Sequence, residues 1–345
     1  MIAGTVLSGT GGVWRVQAAD GQVVEAALRG RLKKHEDYKA REAKLAREGQ
    51  KGAASKVRGR ARDAARADDG DADQPRKLAV GDAVTLEHDA ESGAWAIADI
   101  APRRSQLARR TPGGGYGERI VAANVDQVLV VFAAANPDPH PRMLDRFLVV
   151  AEMNGLAARI VINKCDLVGA DAARARFADH AAAGYPLHVT STADGTGLAE
   201  LRTALEGRTT ALSGPSGVGK SSLMNAMFPG LGLRTAEISR SVNKGRHTTV
   251  GALLHPLPGG GFVVDTPGLR EVGLWGLEPA HLDEHFPEFR VVRGTCRFAD
   301  CTHRVEPGCA VLAAVAEGRI AAGRHESYVK ILGELENDVP PWEWT

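Results

Sequence analysis

The sequence predicts a multidomain α/β protein of three parts, and three observations support that prediction. Short apolar runs separated by glycine turns fill the first hundred residues, longer apolar runs alternate with helical stretches after Val121, and a cysteine and histidine cluster follows Leu277. We therefore expect an OB-like β-barrel over 1–105, a central domain with a parallel sheet and helices on both faces over 106–278, and a mainly helical, metal-binding domain over 279–345.

The amino-terminal segment has the pattern of a small antiparallel barrel, because apolar residues alternate within short strand-like runs. These runs are Gly4 to Ser8, Val13 to Val16, Val23 to Ala26, Asp82 to Leu86 and Trp95 to Ile97. Between the third and fourth runs, the stretch at about 38–73 is rich in Ala, Lys and Arg and has few large aliphatic residues. We interpret it as an insertion outside the packed barrel.

Charge is distributed unevenly along the 345 residues, although the formal net charge is only +1. Between Arg29 and Arg66, fourteen Lys and Arg residues stand against five acidic residues, an excess of nine. Such an excess is expected equally for a segment that binds a polyanion and for a solvated insertion that has no binding partner.

The sequence gives no sign of secretion or of a membrane span. No basic leader precedes an apolar core at the amino terminus, and Asn124, Asp126 and Gln127 interrupt the most apolar stretch at 121–135. Three of the four cysteines fall in one short window, which favours metal ligation in a reducing compartment over disulfides. We expect a cytoplasmic protein that has no contact with a membrane.

A phosphate-binding loop is predicted where a short strand, Thr210 to Ser213, meets a helical stretch. The intervening residues fit G-x-x-x-x-G-K-[ST] and comprise Gly214, Pro215, Ser216, Gly217, Val218, Gly219, Lys220 and Ser221, followed by Ser222. Glycines let backbone N–H groups converge on phosphate oxygens, Lys220 can reach the β- and γ-phosphates, and the Ser221 hydroxyl can ligate Mg²⁺.

Two later segments complete a predicted Mg²⁺ and γ-phosphate site. Asp265 ends an apolar strand, so its carboxylate can hold Mg²⁺, while the backbone N–H of Gly268 can sense the γ-phosphate. Thr248 and Thr249 offer hydroxyls for the loop that closes over Mg²⁺, and the sequence does not choose between them.

A guanine-recognition motif is predicted at the end of the apolar run Arg159 to Ile162, and it comprises Asn163, Lys164, Cys165 and Asp166. The Asp166 carboxylate can accept from N1–H and the exocyclic amine of guanine, which adenine does not present in that arrangement. Ser191 begins a second loop that either contacts the base through backbone N–H groups or is a plain turn.

These motifs occur in an order that predicts a circularly permuted G domain, because the base motif precedes the phosphate-binding loop. Leu269 stands where many G proteins carry the glutamine that orients attacking water. His247 lies beside the two candidate threonines and is a candidate for that catalytic role, as Lys220 is for charge stabilisation.

The last cysteines form a predicted metal site with the spacing C-x₄-C-x-H-x₅-C. Three thiolates and one imidazole suit a single structural Zn²⁺ with no open position, and the ligands are Cys296, Cys301, His303 and Cys309. His281 and His285 are four residues apart but lack a glutamate beside the first histidine, so we interpret them as surface or packing residues.

With these motifs in place, the chain resembles the ribosome small-subunit-dependent, circularly permuted GTPases, over nearly its whole length. The resemblance implies a monomeric GTP hydrolase that acts in late maturation of the small ribosomal subunit, cycles between GTP and GDP, and is stimulated by that subunit. It also implies that the barrel and the zinc domain contact ribosomal RNA, and that His247 replaces the missing glutamine. The insertion at 38–73 and Val250, which stands where a third threonine is common, depart from the family pattern.

Two other functions fit part of the pattern. A P-loop ATPase that remodels nucleic acid would use Lys220, Ser221 and Asp265, but it would have no use for a guanine motif. A nucleotide-gated RNA-binding scaffold would bind GTP and turn it over too slowly for hydrolysis to matter, which Leu269 would permit.

Overall fold

A computed structural model describes residues 1–29, 77–110, 118–233, 252–265, 274 and 277–337. Contacts between Cα atoms divide the chain into two compact units, Met1–Arg103 and Arg104–Thr345. The basic insertion predicted at 38–73 lies outside the described residues. Within the ranges that are described, we find no helix with the length and apolar character that crossing a bilayer requires.

The first unit is a closed five-stranded barrel with strand order β1-β2-β3-β5-β4, which confirms the predicted OB-like barrel. Its strands are β1 Ile2–Thr10, β2 Val13–Ala18, β3 Val23–Leu28, β4 Ala83–His88 and β5 Trp95–Ile100. Alternate residues face inward, so Val6, Val16, Leu86 and Ile97 are fully buried in its core. The barrel is not wholly antiparallel as expected, because β3 and β5 pair in parallel where it closes.

The second unit contains a sheet of six strands in the order β10-β9-β8-β11-β13-β12, counted over the described residues. Pairing is parallel except at the edge strand β12, which runs antiparallel to β13. A two-stranded hairpin of β6 and β7 precedes this sheet, and the sequence patterns did not predict it. The strands are β6 Gln106–Arg110, β7 Glu118–Ala123, β8 Gln127–Ala133, β9 Ala157–Asn163, β10 Leu187–Val189, β11 Thr209–Ser213, β12 Leu253–Pro256 and β13 Phe262–Asp265.

Helices cover both faces of this sheet, as the sequence predicts for parallel strands. The described α-helices are α1 Pro141–Met153, α2 Ala170–Arg176, α3 Ala178–Ala182, α4 Leu198–Leu205, α5 Lys220–Met227, α6 Pro287–Arg290, α7 Ala310–Ala316 and α8 Ala322–Glu336, and short 3-10 helices span Cys165–Leu167, Pro279–His285 and Arg293–Thr295. All seven residues of β8 are buried, and successive residues of a strand point to opposite faces. On one face Leu129 joins a core cluster with Leu201 of α4 and Leu223 of α5, and on the other Phe132 packs edge-on against Phe147 of α1 at 6.0 Å.

The carboxyl-terminal segment packs against α1 within the same unit. Phe286, Phe289, Tyr328 and Ile331 are buried in one apolar cluster with Val149 of α1. Within the mainly helical domain expected over 279–345, α7 and α8 are separate helices, because Gly318 adopts a φ of +72° after α7, a conformation that ends helices. The domain boundary predicted near 278 stays a prediction.

Candidate nucleotide site and metal centre

The phosphate-binding loop predicted from the sequence lies between the end of β11 at Ser213 and the start of α5 at Lys220. Gly214 has a φ of +124°, and a Cβ there would lie 2.1 Å from the carbonyl oxygen of Val131, so only glycine fits. Gly219 also has a positive φ, +92°. The glycines thus permit a backbone path that larger residues would block, and this path ends at the amino terminus of a helix, where N–H groups favour anions.

The ammonium group of Lys220 bends back over this loop. Its Nζ donates to the carbonyl oxygens of Gly214 at 2.7 Å and Pro215 at 2.6 Å. Ser221 follows in the first turn of α5 and is half-buried. One turn of helix therefore presents a cation and a hydroxyl beside the loop, which is the chemistry that phosphate and Mg²⁺ require.

The predicted base motif is hydrogen-bonded directly to the phosphate-binding loop. Nδ2 of Asn163, the last residue of β9, donates to the carbonyl oxygen of Val218 at 2.9 Å. Nζ of Lys164 donates to the carbonyl oxygen of Gly217 at 2.8 Å and also to that of Asn136. Because β8, β9 and β11 are parallel neighbours, their carboxyl-terminal loops meet at one edge of the sheet and bring the two motifs together.

Asp166 is oriented by the second loop rather than standing alone. Its Oδ1 accepts from the hydroxyl of Ser191 at 2.6 Å, and that hydroxyl oxygen accepts from the N–H of Ala193 at 3.1 Å. Ser191 is fully buried. Cys165 is also buried, and this burial raises the pKa of its thiol, which suits a small packing residue better than a reactive one.

The remaining residues of the predicted Mg²⁺ and γ-phosphate site are only partly described. The backbone of Asp265 ends β13 in register with Leu212 of β11, beside the start of the phosphate-binding loop. His247, Thr248, Thr249 and Gly268 lie outside the described residues.

The four predicted metal ligands come together in one cluster. The ligand atoms of Cys296, Cys301, His303 and Cys309 all lie within 4.8 Å of one another. Sγ of Cys296 is 4.0 Å from Sγ of Cys309, and Nδ1 of His303 is 3.6 Å and 3.4 Å from these two sulfur atoms. Zn²⁺ with bonds of about 2.3 Å to sulfur and 2.0 Å to nitrogen needs tetrahedral separations of about 3.5–3.8 Å, so the donor set fits this ion.

Groups around the cluster orient its ligands. Nε2 of His303 faces Oδ2 of Asp283 at 3.2 Å, which leaves Nδ1 towards the sulfur atoms. Sγ of Cys309 accepts from the N–H of Leu312 at 3.4 Å in the first turn of α7. Burial would raise the pKa of Cys309, but this N–H and His303 lower it below its usual value, whereas burial raises the pKa of the neighbouring Cys301 thiol.

Comparison with known proteins agrees with this geometry. The family model of the RsgA GTPase matches residues 100–275. A protein of Gemmatimonas aurantiaca named small ribosomal subunit biogenesis GTPase RsgA is 59% identical over 333 residues, which cover 96% of this chain and 97% of that protein. The chain belongs to the RsgA GTPase family. A Bacteroides fragilis protein of the same name is 34% identical over 338 residues, covering 96% of this chain and 97% of its own.

Solved structures extend the family likeness to the fold. The crystal structure of YjeQ from Thermotoga maritima matches with a TM-score of 0.71 and 32% identity, covering 97% of this chain and 98% of that one. The structure of YloQ, described as a circularly permuted GTPase, matches with a TM-score of 0.69 and 26% identity, covering 99% and 96%. The permuted order predicted from the motifs is thus confirmed for this family member.

Sequence reasoning missed two contributors to these sites. Asn136 supplies only a backbone carbonyl to Lys164, a role that its side chain does not reveal. Asp283 lies 20 residues before His303, too far for a spacing motif. A metal-binding histidine usually donates its second N–H to a partner such as a carboxylate. An acidic residue in the folded segment before the zinc cluster is therefore the signal that could have pointed to Asp283.

Proposed function

We propose that this protein hydrolyses GTP and acts in the biogenesis of the small ribosomal subunit. The proposal rests on direct hydrogen bonds between the base motif and the phosphate-binding loop. The side chain of Asn163 donates to Val218, and that of Lys164 donates to Gly217. This arrangement supports one site for the base and the phosphates of a single nucleotide. The relatives from Gemmatimonas aurantiaca and Bacteroides fragilis, both named small ribosomal subunit biogenesis GTPase RsgA, support the cellular role.

Guanine selection rests on Asp166 in this proposal. With one carboxylate oxygen already held by the Ser191 hydroxyl, the carboxylate has a fixed orientation in which to accept two hydrogen bonds from guanine. The nucleotide is held by the base motif, Ser191 and the phosphate-binding loop with its first helical turn. The residues assigned are Asn163, Lys164, Cys165, Asp166, Ser191, Gly214, Pro215, Ser216, Gly217, Val218, Gly219, Lys220, Ser221 and Ser222.

Hydrolysis uses charge stabilisation and the positioning of water. Lys220 neutralises charge on the β- and γ-phosphates, and bound Mg²⁺ would add further stabilisation of that charge. We assign its ligands to Ser221, Asp265 and one of Thr248 and Thr249, and γ-phosphate sensing to the N–H of Gly268. His247 orients the attacking water, since Leu269 offers no polar group for that role.

One structural Zn²⁺ at Cys296, Cys301, His303 and Cys309 is the second part of the proposal. The separations between the ligand atoms and the contact of His303 with Asp283 support it. A four-ligand site has no open position, so the ion would stabilise the loop from 296 to 309 and take no part in hydrolysis.

We further propose that the chain acts as a monomer in the cytoplasm, in three domains with boundaries near 105 and 278. The barrel and the zinc-binding domain would contact ribosomal RNA of the small subunit, and the basic insertion at 38–73 is a candidate for a further contact with that polyanion. Membrane contact is not part of this function.

The deciding experiment measures GTP hydrolysis with and without purified small ribosomal subunits. Stimulation of at least about tenfold is expected for the wild-type protein and should be lost in Lys220→Ala. Weak hydrolysis that subunits fail to stimulate would favour an RNA-binding scaffold. Displacement of bound GTP by excess ATP would favour the ATPase, and Asp166→Asn, which lacks the carboxylate for guanine, provides the matched specificity control.

A further inference from the structure

Two consecutive residues directly after β10, Thr190 and Ser191, hydrogen-bond to the base motif. The Ser191 hydroxyl donates to Asp166, and the Thr190 hydroxyl donates to Oδ1 of Asn163 at 3.3 Å. Thr190 and Asn163 are both almost completely buried. The hydroxyl of Thr190 is therefore an interior polar group, and its partner is the first residue of the base motif.

The backbone of Thr190 is held against the same motif. Its N–H donates to the carbonyl oxygen of Ile162 at 2.8 Å, and its carbonyl oxygen accepts from the N–H of Cys165 at 3.1 Å. These two partners flank Asn163 and Lys164 in the chain. Two backbone hydrogen bonds thus fix Thr190 beside Asn163, and a substitution of the Thr190 side chain leaves both in place.

The Thr190 hydroxyl selects one orientation of the Asn163 amide. An amide oxygen can only accept hydrogen bonds, so the hydroxyl donates to it, and Nδ2 then faces the phosphate-binding loop. There Nδ2 donates to the carbonyl oxygen of Val218 at 2.9 Å. Turning the amide over would set its oxygen against that carbonyl oxygen, and neither oxygen can donate. Thr190 therefore determines which end of the amide meets the loop.

The packing around Asn163 leaves little room for another arrangement. Gly219 of the phosphate-binding loop has a φ of +92°, and a Cβ there would lie 2.5 Å from Nδ2 of Asn163. The amide is consequently packed against the loop as well as hydrogen-bonded to it. An amide oxygen buried this deeply cannot exchange its donor for water, so the loss of the hydroxyl would leave it unsatisfied.

We propose that Thr190 is a positioning residue for guanine-nucleotide binding. Its hydroxyl orients Asn163, and Asn163 joins the base motif to the phosphate-binding loop, so the loss of the hydroxyl disturbs the alignment of the two parts of the site. Thr190 acts through Asn163 and is assigned no contact with the nucleotide. This inference rests on the proposed GTPase function and adds a buried residue that the sequence motifs do not include.

A purely structural role for Thr190 makes a different prediction, and Thr210 on β11 provides a matched control. Thr210 is also fully buried, and its Oγ1 also pairs with a side-chain amide, since it accepts from Nε2 of Gln127 at 2.9 Å. Gln127 is the first residue of β8, so this pair lies near the amino-terminal ends of the strands. The proposed nucleotide site lies at their carboxyl-terminal ends. Thr210→Val therefore removes an equivalent buried hydroxyl away from that site.

The test compares the wild type, Thr190→Val, Thr190→Ser and Thr210→Val by melting temperature and by affinity for mant-GDP. Valine has nearly the shape of threonine without the hydroxyl, whereas serine keeps the hydroxyl. We expect Thr190→Val to weaken mant-GDP binding at least about fivefold and Thr190→Ser to stay within about twofold of wild type. Thr210→Val should lower the melting temperature similarly and leave mant-GDP affinity unchanged. Wild-type affinity in Thr190→Val, or an equal loss of affinity in Thr210→Val, would overturn the inference.

A double-mutant cycle tests the route through Asn163. Thr190→Val should weaken mant-GDP binding much less in the Asn163→Ala background than in the wild type, because residues that act as a unit are non-additive. Equal losses in both backgrounds would contradict that route. If Thr190→Val does not fold, Thr190→Ala and Thr210→Ala give the same comparison. If the wild type does not bind mant-GDP, the proposed function fails and the inference fails with it, whereas equal binding by wild type and Thr190→Val refutes the inference alone.

Discussion

The hydroxyl of Ser191 donates a 2.6 Å hydrogen bond to Oδ1 of Asp166, which joins the loop after β10 to the base motif after β9. Ser191 is fully buried, and its oxygen also accepts from the N–H of Ala193. The hydroxyl is therefore fixed as a donor to the carboxylate. In the proposed site, Ser191 serves guanine recognition by orienting Asp166, whether or not its backbone contacts the base.

Ser191→Ala should weaken the binding of guanine nucleotides. Losing a hydrogen bond to a charged group costs about 1.5–3 kcal/mol, so we expect mant-GDP affinity to fall by about tenfold or more. Thr192→Ala, at the exposed neighbouring position, should keep wild-type affinity. Equal affinities of wild type and Ser191→Ala in fluorescence titrations would show that the hydroxyl contributes nothing to the base site.

The grouping of candidate site residues was predictable from sequence where those residues are close together in the chain. Gly214 to Ser221 combine a motif with a strand before it and a helix after it, and the structure places β11 and α5 at those positions. The candidate metal ligands from Cys296 to Cys309 were likewise predicted from their spacing, and their ligand atoms lie within 4.8 Å of one another. The apolar run from Arg159 to Ile162 also located β9, Ala157–Asn163, to within two residues at either end, since buried parallel strands are continuously apolar.

Features that depend on distant partners were not predictable in this way. The hydroxyl of Ser191 and the carboxylate of Asp283 act on residues 25 and 20 positions away, so their roles appear only once the chain is folded. Gly318 separates α7 from α8 with a positive φ. Glycine permits this conformation but does not require it, so the sequence alone does not locate the break.

Asp283→Asn should weaken zinc binding without removing a ligand. The carboxylate faces Nε2 of His303 at 3.2 Å, and such partners fix the orientation and basicity of a ligating imidazole. We expect zinc affinity to fall about 10–100-fold, measured by competition with a chromophoric chelator. Asp300→Asn is the matched control, because Asp300 is exposed within the same loop. If both variants bind zinc as tightly as the wild type, Asp283 has no role in orienting His303.

A buried ionic cluster joins α1 to the carboxyl-terminal helix α8. Asp145 of α1 accepts from Nε2 of His180 at 2.8 Å and from Nη1 of Arg324, while Nε of Arg324 donates to Glu288 at 2.7 Å. Asp145 and Arg324 are almost completely buried. Burial alone would raise the pKa of Asp145, but the Arg324 guanidinium and the His180 hydrogen bond lower it below its ordinary value of 3.8.

Asp145→Asn should destabilise the protein, and the size of the effect should depend on pH. Removing one partner of a buried pair costs about 3–5 kcal/mol in the free energy of unfolding, so urea melts near pH 7 should show a loss of that order. Because the folded-state pKa of Asp145 is depressed, the stabilisation is present above the ordinary value of 3.8 and is lost as pH falls below it. Wild type and variant should therefore converge in acid.

The control for this prediction is a second ion pair between the same two helices. Arg142 and Glu326 are joined at 3.1 Å, but their side chains are 48% and 61% exposed. Arg142→Gln should cost no more than about 1 kcal/mol, because exposed pairs are well solvated. A similar loss in both variants, or a constant effect of Asp145→Asn across the pH range, would contradict the assignment of stability to the buried pair.

His247→Ala tests which group orients the attacking water. Leu269 occupies the position where many G proteins carry a glutamine, and a side chain without a polar group cannot orient water. If His247 has that role, its loss should slow subunit-stimulated single-turnover hydrolysis by about 10²-fold or more while mant-GDP affinity stays unchanged. His281→Ala, which removes an exposed histidine from the carboxyl-terminal part of the chain, should keep the wild-type rate. An unchanged rate in His247→Ala would remove the histidine from the mechanism and leave the water-orienting group to the ribosomal subunit.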